Sequence, residues 1–291
     1  MDSNTIQTHI VPRTDLDFGL DGDIPRYWLD GHPFKTRFVD ALSMTFPIGE
    51  RFFISSVRRY RDQITDPQQL AEVRDFMRQE GQHGIVHNQW NDRLREQGVP
   101  VDAIEQFCDR FFKWQLGNLP QSWPLVYTAS VEHLTAIMAD AVFGNASFLQ
   151  GADERMRAVF AWHAIEEFEH KAVAFDVMQK TAKVGYFTRV GIMAAAVITF
   201  QVLTLHFLGK VLKSDGFSFG QRARLWASGM WWLYKPVGGV FSRMAPAVLQ
   251  YFKPGFHPTH IKEPACYRVW NESYENSGDP LQASRSTLLA A

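Results

Sequence analysis

Two stretches of this chain share one spacing, Glu80-Gly81-Gln82-His83 and Glu167-Phe168-Glu169-His170. On an α-helix, residues three apart face the same way, so each stretch aims one carboxylate and one imidazole at a common point. That is half of a metal site. Glu50 and Glu132 stand among apolar residues and complete the chain order Glu, Glu-x-x-His, Glu, Glu-x-x-His. Helices that bring these groups inward from four sides build a carboxylate-bridged dinuclear centre in the core of a bundle. The competing reading, buried Glu and His pairs with no metal, must hold carboxylates in apolar stripes that contain no Lys or Arg. An uncompensated buried carboxylate costs several kcal/mol even after relaxation, which favours a divalent ion as partner.

His163 adds a third imidazole, because the last of these helices reads His163-x-x-x-Glu167-x-x-His170. The candidate ligands, which are also the candidate catalytic residues, are therefore Glu50, Glu80, His83, Glu132, His163, Glu167 and His170. Carboxylates mixed with imidazoles suit two iron ions, with manganese as the other candidate, whereas zinc favours fewer carboxylates and tetrahedral closure. Four carboxylates also balance two divalent charges. His87 lies one turn beyond His83 and is read first as a group supporting a ligand. Glu166 and Glu169 point off the stripe and read as surface or supporting residues. His133 is turned about 100° from Glu132 and is not counted as a ligand.

These residues need long helices to carry them. An apolar helical pattern runs from Phe34 to about Ile64, with a break or kink expected at Pro47 just before Glu50. A second helix is predicted from Pro67, with Asp66 as N-cap, to near Gly98. Its inner stripe is Val73, Phe76, Glu80, His83, His87, Trp90 and Leu94. A connecting helix follows at about 102–116, a third long helix at about 124–149, and a fourth at about 152–183. The expected fold is all-α, a four-helix bundle with a di-metal centre and additional apolar C-terminal helices. Residues 1–33 form an irregular lead-in that drapes over the bundle, 34–183 the bundle, 184–276 an apolar and aromatic helical region, and 277–291 a flexible tail. Residues 190–209 lack Asp, Glu, Lys and Arg, the minimum length for a bilayer span. Spanning, lying on a membrane surface and burial in a hairpin all remain open there. The Trp and Arg mixture that follows is of the kind found at membrane interfaces.

Thirty Lys and Arg against 31 Asp and Glu give a net charge of −1, which argues against nucleic acid as a partner. Cys108 and Cys266 form no Cys-x-x-Cys pattern, so a reducing compartment is expected and Cys108 reads as a buried structural thiol. The first residues lack the basic and then apolar regions of a secretory signal, so a location in the cytoplasm or against the inner membrane is expected. No Gly-x-Ser-x-Gly elbow and no phosphate-binding loop occurs.

The ordered set Glu50, Glu80-x-x-His83, Glu132, His163-x-x-x-Glu167-x-x-His170 resembles the arylamine N-oxygenase branch of the ferritin-like di-iron proteins, over about residues 34–183. The wider chain, with its FPIGERFF, EGQH and HAIEEFEHK segments and apolar C-terminal part, looks like the bacterial family catalogued as predicted metal-dependent hydrolases. The first resemblance implies that the seven residues ligate two irons, with dioxygen as co-substrate. A small apolar or aromatic organic substrate is then hydroxylated, N-oxygenated or desaturated, and a reductase or ferredoxin supplies electrons. The alternatives are a hydrolase whose two ions activate water and a ferritin-like protein that handles iron. Assembly as a homodimer is left open.

Overall fold

Prolines open the first helices of the computed structural model, which describes residues 10–143, 148–149 and 151–289. Pro33 starts α1 (Pro33–Ser43), and Pro47 sits in the first turn of α2 (Phe46–Arg58). Proline has no N–H to leave unpaired at a helix start, so the break expected near Pro47 falls just ahead of it, at Met44 and Thr45. Asp66 caps α3 (Pro67–Glu96) by accepting from the Gln68 N–H at 3.0 Å. Next come α4 (Val101–Asn118), α5 (Ser122–Phe143) and α6 (Glu154–His170). Helices α2, α3, α6 and α5 touch one another in a ring, which makes the four-helix bundle. Among the described residues no strand is present, and one isolated bridge joins Leu29 to Ala152. The expectations for residues 1–9, for the end of the third helix at 144–147 and for 290–291 lie outside the described residues.

The fourth helix departs from the expected 152–183. It stops at His170, turns at Lys171 and Ala172, and resumes as α7 (Val173–Asp176) and a π-helical turn at Val177–Thr181. No Pro or Gly marks the break. Lys171 is drawn inward, with Nζ donating to the Ile261 carbonyl at 2.9 Å and lying 3.3 Å from the centre of the Phe168 ring. These tertiary contacts override a continuous local helical preference.

The remaining helices are α8 (Tyr186–Ser214), α9 (Phe219–Tyr234), α10 (Val240–Tyr251), α11 (Ala265–Ser277) and α12 (Pro280–Leu289). α8 lies along α1 and α5. α9 reaches α1 closely because of Gly229, where a Cβ would fall 2.3 Å from the Phe34 ring. The segment expected as a flexible tail is instead mostly α12. It follows a turn at Gly278 (φ +66°), packs on α6 and α11, and buries Pro280, Ala283, Ser284 and Thr287. A buried face of such small residues gives little apolar periodicity to read.

The lead-in has no helix before Pro33 and lies over the bundle with Phe18, Leu20, Ile24, Trp28 and Leu29 buried. Trp28 Nε1 and Trp90 Nε1 both donate to Asp40 Oδ1, at 3.0 and 3.1 Å. Arg37 pairs with Asp40 and, beyond the end of α8, with Asp215. This buried network fastens the lead-in, α1, α3 and α8 to one another.

Candidate metal centre

The structure brings all seven candidate residues together: Glu50 from α2, Glu80 and His83 from α3, Glu132 from α5, and His163, Glu167 and His170 from α6. None is more than 6% exposed. His170 Nε2 is 3.1 Å from Glu80 Oε1, 3.2 Å from Glu132 Oε2 and 3.7 Å from Glu167 Oε1. Glu167 Oε1 is also 3.0 Å from His163 Nε2 and 3.8 Å from His83 Nδ1. The potential ligand atoms form overlapping triplets: Glu50, His83 and His163; Glu80, Glu132 and His170; and Glu80, His83 and Glu167. Within each triplet they lie no more than 4.8 Å apart. Glu80 and His83 each belong to two of the three triplets, so the triplets run together into one cluster. Gly84 lets α2 approach α3 here, since a Cβ on it would stand 3.4 Å from Glu50 Oε2.

Hydrogen bonding tests whether a metal belongs in this cluster. Both carboxylate oxygens of Glu50, Glu80 and Glu132, together with His83 Nδ1 and His170 Nε2, are buried without a hydrogen-bond partner. Stranding one such group costs about 1–3 kcal/mol, and more when it is charged. Among the described residues no Lys or Arg forms a salt bridge with Glu50, Glu80, Glu132 or Glu167. The unpartnered atoms are the oxygen and imidazole nitrogen donors that first-row divalent ions accept. The residues fit a metal.

The far nitrogens of the histidines are tied down. His83 Nε2 is 3.1 Å from Glu166 Oε2, and His170 Nδ1 is 2.9 Å from Gln79 Oε1. Because both partners accept, each of those nitrogens carries the proton, and His83 Nδ1 and His170 Nε2 keep free lone pairs toward the centre. His163 Nδ1 meets His87 Nε2 at 2.7 Å, and His87 Nδ1 meets Ser43 Oγ at 2.8 Å. His87 therefore touches a candidate ligand from behind.

Glu166 and Glu169 are buried, contrary to a surface reading, and they share a cation that the sequence did not point to. Arg13, in the lead-in, donates to Glu166 Oε1 at 3.0 Å and to Glu169 Oε1 at 2.8 Å. Its guanidinium lies 5.1 Å from the centre of the Trp270 ring, and Nη2 also donates to Asn271 Oδ1. Glu169 Oε2 accepts from Gln79 Nε2 at 2.7 Å. One arginine thus stands behind two candidate ligands, His83 through Glu166 and His170 through Glu169 and Gln79. The one signal available was that Glu166 and Glu169 are themselves three residues apart and share a second face of α6. His133 points away and meets the Ala247 carbonyl.

Burial, then repulsion from neighbouring carboxylates, pushes Glu50 well above the usual carboxylate range. Glu80 rises for the same leading reasons, and burial takes Glu132 up to about 7 despite His170 beside it. Burial would raise Glu167 as well, but the hydrogen bond to His163 and the imidazole of His170 beside it hold it well below its ordinary value. Burial, reinforced by His163, lowers His83 and His87. His170 goes up, because Glu132, Glu167 and Glu80 outweigh the burial that would lower it. A carboxylic acid must lose its proton to ligate, so metal binding should release protons and tighten as pH rises toward and through about 7. We expect up to about tenfold in affinity per pH unit for each proton released. Calorimetric Mn(II) titration of metal-free protein between pH 6 and 8, in buffers of different ionisation enthalpy, measures this. An affinity independent of pH would contradict it.

Beside the cluster lies a cavity of about 80 Å³, bordered by Glu50, His163 and Glu167 and walled by Phe46, Phe53, Phe111 and Phe112. Cys108 lines it too, a buried thiol whose pKa burial pushes up to about 12. A second cavity of about 60 Å³ reaches His163 and Glu167 from the side of Phe38, Met138 and Phe160. Phe46 borders both, with its ring centre 4.8 Å from those of His87 and His163. Thr135 also borders both and hydrogen-bonds Glu167 Oε2 through its hydroxyl.

A family model described as predicted metal-dependent hydrolase matches residues 12–262. No curated protein and no solved structure matches the chain.

Proposed function

The chain belongs to the family of predicted metal-dependent hydrolases, and for its metal centre we propose the role of a di-iron oxidoreductase that uses dioxygen to oxidise an apolar or aromatic organic molecule. The observation that carries this reading is the convergence of unpartnered carboxylate oxygens and imidazole nitrogens beside an aromatic cavity. Glu50, Glu80, His83, Glu132, His163, Glu167 and His170 would hold the two ions. Iron held there would supply the redox chemistry for reaction with dioxygen, and manganese is the other metal that the donor set suits.

The chain's own residues prepare the site for such chemistry. Phe46, Phe53, Phe111 and Phe112 exclude water and offer a surface to an apolar substrate. Glu166 and Gln79 fix the rings of His83 and His170, and His87 with Ser43 fixes His163. Thr135 holds a proton against Glu167 where both cavities meet. Hydroxylation, N-oxygenation and desaturation all need electrons from an external donor such as a reductase or ferredoxin. The three-histidine set supports the N-oxygenase branch among these.

The family's description favours a second reading, in which two ions activate water and hydrolyse a substrate. That chemistry needs water at the ions, and the aromatic walls oppose it. Storage of iron needs a polar entry path, which the same walls also oppose.

Anaerobic loading with Fe(II), followed by admission of oxygen, separates these readings. About two irons per chain and a transient visible absorption band are expected. Bound metal that ignores oxygen while the protein hydrolyses esters or amides would replace the oxidase with the hydrolase. Uptake of many irons per chain would point to storage.

A further inference from the structure

Charge is distributed unevenly along this chain. The whole molecule has a net charge of −1, yet residues 177–262 contain eleven Lys and Arg and a single acid, Asp215. Asp215 is consumed internally: its side chain is fully buried and paired with Arg26 and Arg37. Lys183 before α8, Lys210 and Lys213 in its last turns, and Arg224 on α9 are exposed and in no salt bridge among the described residues. The outer surface of this region is therefore positive.

Between those cations α8 presents an apolar stripe to the outside. Phe187, Gly191, Ala195, Ile198, Val202 and His206 recur at steps of three and four and are all exposed. Phe187 is 84%, Ile198 63% and Val202 58% exposed. Only 28% of the most apolar stretch of α8 is buried, which is not the pattern of a soluble core helix. On the neighbouring helices Phe219, Trp231 and Leu249 are also exposed. An uncharged apolar stripe with lysines at both ends and Trp nearby matches a helix lying in a membrane interface whose lipids are anionic. Crossing the bilayer is disfavoured, because the other side of α8 packs on α1 and α5 and would take the bundle in with it.

We propose that the exposed face of α8, with Arg224 and Trp231 of α9, docks this protein on an anionic lipid surface. The inner side of α8 supplies Phe200, Leu203 and Phe207 to the wall of the cavity beside Glu50, His163 and Glu167. Docking sets that wall about one helix diameter, roughly 10 Å, from the acyl chains. The docking itself does not rest on the metal reading, because the metal-free chain carries the same face.

Flotation of the full chain, metal-free and Fe(II)-loaded, with phosphatidylcholine vesicles and with vesicles containing phosphatidylglycerol tests this. Both forms should float with the anionic vesicles, less so at high salt, and stay behind with the neutral ones. Val202→Glu and Ile198→Glu, at exposed positions that leave the core intact, should weaken binding about tenfold or more. Lys210→Glu with Lys213→Glu should do the same by reversing two charges. The proposal is overturned if anionic vesicles bind no protein, or if these folded variants float as the parent does. It is equally overturned if sedimentation shows a dimer that Val202→Glu dissociates while vesicle binding is absent, since the face is then an interface between copies of this chain.

Discussion

Glu80→Ala and Glu167→Ala are each expected to cut bound metal to about half or less and to reduce activity by more than the roughly 10–100-fold that loss of a supporting group costs. These two residues occupy the middle of the cluster. Glu80 belongs to two of the three ligand triplets. Glu167 Oε1 lies within 3.8 Å of imidazole nitrogens on His83, His163 and His170. Removing either should loosen both ion positions, whereas Glu50→Ala should empty mainly one. Metal per chain, measured by mass spectrometry after dialysis, gives the result directly. Full occupancy in both variants would remove Glu80 and Glu167 from the ligand set. Stability should move in the opposite sense to metal content. Glu80 is buried with neither oxygen hydrogen-bonded, so the metal-free Glu80→Ala protein should melt no lower than the metal-free parent.

Arg13→Ala should destabilise the fold by about 3–5 kcal/mol, the usual cost of stripping one partner from a buried ion pair. Arg13 is 7% exposed, and it neutralises Glu166 and Glu169, which are 0% and 3% exposed. Arg13→Ala should also weaken metal binding, by about 10–100-fold, since the two partners of Arg13 orient His83 and His170. Arg13→Lys should recover little, because one ammonium cannot reproduce the forked contacts to both carboxylates and to Asn271. Chemical denaturation gives the stability change. In a Glu166→Gln, Glu169→Gln background the same substitution should cost far less. A loss below about 1 kcal/mol in the parent would show that the arginine is dispensable to the buried pair.

The contrast between Glu80 and Arg13 explains how much the sequence could disclose. Glu80 and His83, or Glu167 and His170, announce themselves because helical geometry makes neighbours of residues three apart. Asp66 and Pro67 mark the start of α3 for a similarly local reason. Arg13 meets Glu166 across 153 residues from a segment without periodicity, so no spacing rule connects them. The same holds for the cavity, whose walls come from α2, α4, α5 and α8. An apolar stripe identifies a buried face without saying what it faces. The turn after His170 and the small-residue face of α12 were illegible because tertiary contacts, not local propensity, decide them.

Arg13 also constrains when the centre can be finished. Its contacts to Asn271 and Trp270 lie in α11, 258 residues after it in the case of Asn271. During synthesis the seven candidate ligands emerge long before α11 does. Their outer support locks only when the chain is almost entirely made. Stable metal capture is thus expected as a late event in the protein's life history, and a nascent chain stalled ahead of α11 should hold metal only loosely.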